Sequence, residues 1–254
     1  MKLAIRKRMI GTIPVLEVVA EEWVYEALPL IIYYHGWQTS KELVLTQARK
    51  LAAHQFRVVL PDAFNHGERK TEKSPIPSLT FWQSIQTNLF EFEYLVTHFQ
   101  RLGLTNGVLG VGGVSMGGMT TCALLTQHPE IQAAACVMGS PDLQAYRNRL
   151  AQHAARAHLF LPKDYHALLS WIEAYDLAQQ PQVLGNRPLL FWHGIEDEKI
   201  PYVDVEQFVQ NNPTRALTFL SEHERHLVKT ETMDQVTAFF LQHLAKKEGP
   251  NHQK

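Results

Sequence analysis

Apolar and polar positions divide the chain into two kinds of segment. Short apolar runs, typical of strands buried on both faces, lie at 28–34, 56–60, 106–112, 131–138, 189–193 and 216–220. Longer stretches with apolar residues three and four apart predict helices at 41–54, 79–102, 203–210 and 228–245. Strands that alternate with helices in this way predict an α/β fold with a mostly parallel sheet and helices on both faces.

The N-terminal region follows a different pattern. Residues 2–8 and 13–19 alternate around Gly11, which predicts an antiparallel hairpin at one edge of the sheet. Ser40 precedes the first predicted helix and has the side chain expected of an N-cap. The positions of that helix expected to face the core are Leu43, Ala48 and Leu51.

Residues 141–187 interrupt the short alternation of strands and helices. Their second part, 164–178, has the pattern of an amphipathic helix that carries Leu168, Trp171, Ile172 and Tyr175. The segment is too short to form a core of its own, so we expect one domain over 1–254 with 141–187 as a small helical cap between core strands. The polar tail after Ala245 is expected to be disordered.

Composition and charge narrow the classes of function. The formal net charge of −1 gives no electrostatic footprint for nucleic acid or an anionic membrane. No apolar run is long enough for a membrane span, and Pro14 and Glu17 interrupt the N-terminal region, so no signal peptide is expected. The two cysteines, Cys122 and Cys136, lie in apolar runs and are predicted to be buried thiols of a reducing compartment, which favours the cytoplasm.

A Gly-x-Ser-x-Gly motif follows the apolar run 106–112. Ser115 is flanked by Gly113 and Gly117, and a small-residue apolar stretch that suits a helix continues to His128. Strand, motif and helix are the context of a nucleophile elbow, in which the serine lies at a strained turn and its glycine neighbours avoid a collision. Ser115 is therefore the candidate nucleophile.

A serine hydroxyl needs a base, and the base needs a carboxylate to orient it. In this fold class the chain order is serine, acid, histidine. Asp197 follows the predicted strand 189–193 and is the candidate acid, although residues 196–198 could be a solvated acidic loop. His226 directly precedes the last predicted helix and is the candidate base, with His223 as the alternative.

The reaction also needs donors for a developing oxyanion. The backbone N–H of Met116, the residue after the serine, is one candidate. The backbone N–H of Trp37, in the loop after the strand 28–34, is the other, because Gly36 lets the chain turn closely there.

The 13 histidines allow a different hypothesis, a metal centre. The histidines that could meet at one sheet edge are His35, His66, His193, His223 and His226. No zinc-type spacing occurs on a predicted helix, so no metal is expected. His35 and His193 are instead predicted to fix loops through backbone hydrogen bonds, and His66 to support the oxyanion loop from behind.

These motifs together resemble the α/β-hydrolase family. They are His-Gly-x at 35–37, the elbow at 113–118, His-Gly-x-x-Asp-x-x-x-Pro at 193–201 and a late histidine. The segments 34–42 and 61–69 are similar to small bacterial esterases of the prolyl-oligopeptidase-like branch. The resemblance implies Ser115 as nucleophile, Asp197 as acid, His226 as base, and Trp37 and Met116 as oxyanion donors.

Two departures from the family pattern affect what it implies. The glycine often found near the catalytic histidine is absent from Glu224-Arg225-His226. No propeller of the kind that admits peptides in prolyl oligopeptidases is expected before Met1, which disfavours a peptidase.

The sequence therefore predicts a serine hydrolase that cleaves a small or medium acyl ester through an acyl-enzyme. No cofactor is expected, and the partner is a small-molecule ester; the oligomeric state stays open. Aromatic residues of the cap, Trp171 and Tyr175 among them, are predicted to line an apolar substrate pocket. A thioesterase, a peptidase or amidase with the same residues, and a non-catalytic ligand-binding scaffold are the alternatives.

Overall fold

The computed structural model describes residues 1–71 and 76–245. Within this part of the chain, one eight-stranded sheet forms the centre of the fold. Its strands are β1 (Leu3–Ile10), β2 (Ile13–Ala20), β3 (Leu28–Tyr34), β4 (Arg57–Pro61), β5 (Thr105–Val114), β6 (Ala133–Val137), β7 (Leu189–Gly194) and β8 (Leu217–Glu222). The helices are α1 (Leu45–Ala52), α2 (Pro77–Arg101), α3 (Met116–Gln127), α4 (Leu143–Arg156), α5 (Tyr165–Leu168), α6 (Tyr202–Asn211) and α7 (Thr230–Leu244).

The strand order is β1-β2-β4-β3-β5-β6-β7-β8. The first two strands form the predicted hairpin, and β2 also pairs antiparallel with β4, whereas all other neighbours are parallel. The predicted α/β fold with a mostly parallel sheet is confirmed. Because the central strands are parallel, their carboxyl ends meet at one edge, where ligands bind in open α/β sheets.

Successive residues of β3 contact two separate cores. Leu30, Ile32 and Tyr34 are buried with residues of α2 and α3, which we call the α2–α3 face. Ile31 and Tyr33 are buried with residues of α1 and α7, which we call the α1–α7 face. This alternation follows from the two-residue period of a strand, and it explains why the run 28–34 is apolar throughout.

The first predicted helix begins differently from the expectation. Residues 41–44 form a 3₁₀ turn, and the regular helix α1 starts only at Leu45. The Ser40 hydroxyl does not cap it but donates to the Glu42 carboxylate at 2.6 Å, while the N–H of Lys41 donates to Asp62. The prediction that Leu43 faces the core is wrong: its side chain is 53% exposed, because the tighter turn directs Val44 inward instead.

The segment between β6 and β7 contains α4, α5 and three short 3₁₀ turns. Its predicted helix over 164–178 is interrupted at Leu169, whose φ of −110° lies outside the helical range. Two aspartates fix its backbone. Asp142 caps α4 by accepting from the N–H of Ala145 at 2.7 Å, and buried Asp176 accepts from Gln144 at 2.9 Å and Ala178 at 3.0 Å.

The prediction of buried thiols is confirmed, since Cys122 and Cys136 are both buried and neither forms a disulfide bond. Among the helices within 1–71 and 76–245, none has the length and apolar character needed to cross a bilayer. The polar tail predicted after Ala245 lies outside the described residues, as do residues 72–75 of the loop before α2.

Candidate active site

Ser115 lies at the sharp turn between β5 and α3. Its backbone has φ 58° and ψ −114°, a left-handed conformation that a non-glycine residue adopts only when its surroundings enforce it. The N–H of Ser115 donates to the carbonyl of Val137 at 2.8 Å, and its own carbonyl accepts from Met119 at 3.0 Å. These bonds fix the strained turn and leave the hydroxyl directed away from the sheet edge into a cavity.

The turn depends on the missing side chains of two glycines. A Cβ at Gly113 would lie 2.5 Å from the backbone carbonyl of Gly117. A Cβ at Gly117 would overlap the carbonyl oxygen of Tyr34, at the end of β3. Helix α3 therefore starts in direct backbone contact with β3, which no larger residue permits.

Three predicted residues meet at this edge. The Ser115 Oγ is 2.9 Å from Nε2 of His226, and Nδ1 of His226 is 2.7 Å from Oδ2 of Asp197. The Asp197 side chain is buried, and that of His226 is 13% exposed. The three side chains come from the loops after β5, β7 and β8, and their distances are those of hydrogen bonds.

Asp197 is held in its ionised form. Burial alone would raise its pKa, but hydrogen bonds from His193, His226 and the N–H of Ile200 outweigh burial and hold the pKa of this carboxyl well below its usual range. A carboxylate only accepts, so Nδ1 of His226 donates to it. The other nitrogen, Nε2, is then free to accept the proton of the Ser115 hydroxyl.

His193 contacts this carboxylate in a way that the sequence interpretation missed. Its Nε2 lies 2.9 Å from the carbonyl oxygen of Ile200 and 3.2 Å from Oδ2 of Asp197. Both partners are acceptors, so this nitrogen carries the proton and steadies the loop and the carboxylate together. The four-residue spacing between His193 and Asp197 after a strand was the available signal. His223, by contrast, is 83% exposed and lies near Glu196.

The two predicted oxyanion donors flank the serine. Met116 is the first residue of α3, where a helix provides no internal acceptor for the backbone N–H. Trp37 follows Gly36, and a Cβ at Gly36 would lie 3.5 Å from Cβ of Ser115, so this loop passes directly beside Ser115. Gly36, Trp37 and Ser115 line the same cavity.

His35 and His66 hold the loop that carries Trp37. Burial lowers the pKa of His35 to about 4, so its ring is neutral; Nδ1 donates to the Gly36 carbonyl at 2.8 Å, and Nε2 accepts from the Ala63 N–H at 3.0 Å. Burial also lowers the pKa of His66, whose Nδ1 contacts the Phe64 carbonyl at 2.8 Å while Nε2 accepts from the N–H of Gln38 at 2.9 Å. Gln38 has a φ of 59°, so His66 supports a strained residue next to Trp37.

An ion cluster around a buried lysine of the same loop was not predicted. The Lys41 ammonium, 1% exposed, donates to Asp62 at 2.6 Å and to Glu68 at 2.7 Å. Asp62 also accepts from the backbone N–H groups of Lys41 and Glu68, both at 2.9 Å. The cluster ties the loop after β3 to the loop after β4. A lysine at the start of an apparent helix gives no sequence signal for burial, because lysine is ordinarily exposed.

A cavity of about 750 Å³ opens above Ser115. Residues of the segment between β6 and β7 line it, among them Tyr146, Leu150, Ala154 and Leu161. In the part of the chain that the structure describes, the lining of this cavity does not include the predicted pocket residues Trp171 and Tyr175. The ring of Trp171 lies 6.3 Å from that of Trp82 and 6.0 Å from that of Tyr175. Both residues belong to the 3₁₀ turn that follows the interruption at Leu169, and there they pack on the α2–α3 core.

The histidines do not form a metal centre within the described part of the chain. No group of three or more histidine, cysteine, aspartate or glutamate side chains is placed there to hold an ion. The histidines near Ser115 each contact a carbonyl, an N–H group or a carboxylate instead.

Comparison with known proteins identifies the fold family. The family model described as the alpha/beta hydrolase fold matches residues 29–163, just over half of the chain. The chain is 36% identical over 212 residues to YitV of Bacillus subtilis (strain 168), provisionally named an esterase, with 81% of this chain and 83% of YitV covered. It is 28% identical over 248 residues to the esterase YjfP of Escherichia coli (strain K12), covering 95% of this chain and all of YjfP.

A solved structure has the same architecture. The crystal structure of TT1662 from Thermus thermophilus superposes with a TM-score of 0.76 at 22% identity, with 96% of this chain and 99% of that chain covered. At this level of identity the likeness concerns the fold.

Substitution of Gly117 by alanine should destabilise the elbow. The new methyl group would overlap the backbone of β3, which cannot move without disturbing the sheet. We expect Gly117→Ala to lower the free energy of unfolding by about 1–3 kcal/mol, as overpacking does in other cores. Urea denaturation measures the change. Gly36→Ala is the matched control, because its methyl group would meet ordinary van der Waals distances; an equal loss in both variants would contradict the explanation.

The lowered pKa of Asp197 should appear in the pH dependence of stability. The unfolded carboxyl, with a pKa of about 3.9, binds protons more tightly than the folded one, so this stabilisation is present above that pH and is lost as the pH falls. Asp197→Asn should therefore lose less unfolding free energy than wild type between about pH 6 and about pH 3 in urea titrations.

Asp204 offers a control of opposite sign, because burial raises its pKa despite the contact with Arg149. Asp204→Asn should lose more stability than wild type over the same range. Parallel curves for all three proteins would contradict the assignment.

Proposed function

The chain belongs to the α/β-hydrolase fold family, and on that premise we propose that it is a serine esterase in which Ser115, His226 and Asp197 form the catalytic triad. The observation that carries this proposal is the continuous pair of contacts from Ser115 Oγ to His226 Nε2 at 2.9 Å and from His226 Nδ1 to Asp197 Oδ2 at 2.7 Å. A hydroxyl, an oriented imidazole and an ionised carboxylate in this order are what acyl transfer requires.

The geometry supports a two-step hydrolysis. Ser115 Oγ attacks the ester carbonyl carbon while Nε2 of His226 takes the hydroxyl proton, and the resulting imidazolium is stabilised by Asp197. The tetrahedral intermediate collapses, the C–O bond to the alcohol breaks, and Nε2 returns its proton to the leaving oxygen. Water, deprotonated by the same nitrogen, then attacks the acyl-enzyme and releases the acid with Ser115 regenerated.

The negative oxygen of the intermediate would bind the backbone N–H groups of Trp37 and Met116. The N-terminus of α3 also favours negative charge at this point. His35, His66 and the Lys41 cluster support the Trp37 loop, so the donors are held in place before the substrate arrives. Such preorganisation lowers the barrier because no reorganisation is needed during the reaction.

An ester is the substrate bond that we favour over a thioester or an amide. YitV and YjfP both carry esterase names, and YjfP is matched over its full length. We also propose that residues 141–187 act as a cap, since α4 and the turn after it form one wall of the cavity above Ser115. A panel of ester, thioester and anilide substrates with one acyl group would show which bond is cleaved fastest.

Ser115→Ala should abolish ester hydrolysis. Loss of the nucleophile is expected to lower kcat for p-nitrophenyl butyrate by on the order of 10⁴-fold or more. A fluorophosphonate probe should label the wild-type protein and not the variant. Ser221→Ala, at an exposed serine of β8, is the control and should retain both properties.

Unchanged turnover in Ser115→Ala would refute the triad. A wild-type protein that binds ester analogues but neither turns over nor reacts with the probe would indicate a non-catalytic scaffold instead.

The two histidines after β8 should differ sharply. His226→Ala removes the base and should lower kcat by on the order of 10⁴-fold or more. His223→Ala changes an exposed side chain beside Glu196 and should stay near the wild-type rate. Kinetics of both variants with the same ester test the assignment, and the opposite ranking would make His223 the base.

A further inference from the structure

The cavity above Ser115 extends to both faces of the sheet. Tyr33 lines it and belongs to the core of the α1–α7 face. Tyr146 and Phe81 also line it, and they pack on the core of the α2–α3 face. Ser115 follows β5 at the carboxyl edge between the two faces, so the cavity passes around this edge and the hydroxyl lies between its two parts.

One part, which we call the insert arm, is bounded by residues of α2 and of the segment between β6 and β7. Its apolar lining includes Phe81, Tyr146, Leu150, Ala154 and Leu161, and the exposed His153 of α4 lies next to them in the lining. Burial raises the pKa of Tyr146 to about 12, so its hydroxyl stays neutral, and the other four residues of this set have hydrocarbon side chains. The arm therefore offers mainly van der Waals contact to a bound group.

The other part, which we call the helix arm, lies on the α1–α7 face. Its wall consists of Tyr33, Val44, Met138, Val228 and Met233. Met138 has a φ of 50° and is 2% exposed, a strained conformation at a wall position beside the nucleophile. Gln47, a polar residue of this arm, already donates to the Met233 carbonyl at 3.1 Å and to Thr237 at 3.0 Å, so its amide N–H groups have partners within the protein.

The cavity opening is apolar as well. Leu43, Leu159, Phe160 and Leu227 line the cavity and have exposed side chains, between 53% and 70% of their full accessibility. A rim of exposed leucine and phenylalanine around a cavity is typical of a site that receives an apolar molecule. Lys199, a charged lining residue, is also exposed.

The cavity is also larger than a short acyl group needs. Its volume of about 750 Å³ lies within the range of about 300–1,000 Å³ found for sites that enclose drug-sized ligands. The reacting carbonyl carbon of an ester has two substituents besides its oxygen, the acyl chain and the alcohol. Two apolar arms that meet at Ser115 match these two substituents in number and in chemistry.

We infer that the substrate is an uncharged ester with an apolar group of several carbons on each side of the carbonyl, one group in each arm. This inference rests on the proposed function and adds its substrate class. During turnover the acyl group stays in one arm as the acyl-enzyme, and the alcohol leaves from the other. Different sets of residues therefore contact the acyl chain and the alcohol chain, and each set limits the length of one chain.

Separate blocking of each arm tests the inference. Ala154→Phe fills the insert arm, and Met233→Phe fills the helix arm. Two ester series are measured for kcat/KM: p-nitrophenyl esters with acyl chains of increasing length, and acetate esters with alcohols of increasing length. Each variant should lower the ratio of long-chain to short-chain kcat/KM by about 10-fold or more in one series, and the two variants should affect different series.

Ala155→Phe and Ala238→Phe are the matched controls. Both alanines are exposed and lie on the same helices, α4 and α7: Ala155 directly follows Ala154, and Ala238 lies five residues after Met233. They should keep the wild-type ratios in both series. If a blocking variant fails to fold by circular dichroism, Leu150→Ala and Met233→Ala enlarge the two arms and should shift the preferred chain length upward, again in different series.

The outcomes separate this inference from the function on which it rests. Wild-type protein that cleaves no ester and resists the fluorophosphonate probe overturns the proposed function and the substrate class with it. Active wild type whose variants change the same series, or neither series, overturns the two-arm assignment alone. Reciprocal changes support it.

Discussion

The contact between two stretches of bare backbone, the start of α3 and the end of β3, is the constraint on which the site depends. At Gly117 the separation leaves no room for a Cβ, and at Gly113 the chain passes equally close to the carbonyl of Gly117. This approach forces Ser115 into a left-handed conformation and brings the Gly36 loop alongside it. Every other functional group is positioned relative to this turn, because the loops after β3, β6, β7 and β8 all meet the same sheet edge.

Around this turn the protein uses polar contacts with fixed roles. His35 and His66 are buried, and burial lowers both pKa values. In each ring Nε2 accepts from a backbone N–H and Nδ1 donates to a backbone carbonyl, so each ring is neutral and holds its loop with one acceptor and one donor nitrogen. Asp197 accepts from two histidines and from backbone N–H groups, and it stays ionised although its side chain is buried. Burial of a polar group is unfavourable unless the group is hydrogen-bonded. Because these groups are paired, the loops can be held rigidly at the edge of an apolar core.

The fold, and the proximity of three candidate site residues, could be predicted from the sequence. The apolar runs and helical periods fall where the strands and helices lie, and Ser115, Asp197 and His226 each follow a strand, so a parallel sheet brings them to one edge. The cavity wall could not be predicted, because it depends on how the segment 141–187 folds back, and Leu169 breaks a pattern that suggested one helix. The burial of Lys41 could not be predicted from the sequence either, since its partners Asp62 and Glu68 are distant along the chain. Local periodicity carries no information on such pairings.

The hydrogen bonds that shape the segment 141–187 have a consequence for divergence. Asp142 and Asp176 accept from main-chain N–H groups within residues 141–187, so the bonds that shape this segment do not depend on which side chains α4 presents to the cavity. Tyr146, Leu150 and Ala154 can therefore be exchanged by mutation without moving the proposed catalytic residues. Selection on these residues would change which substrates bind, while the proposed reaction stays the same.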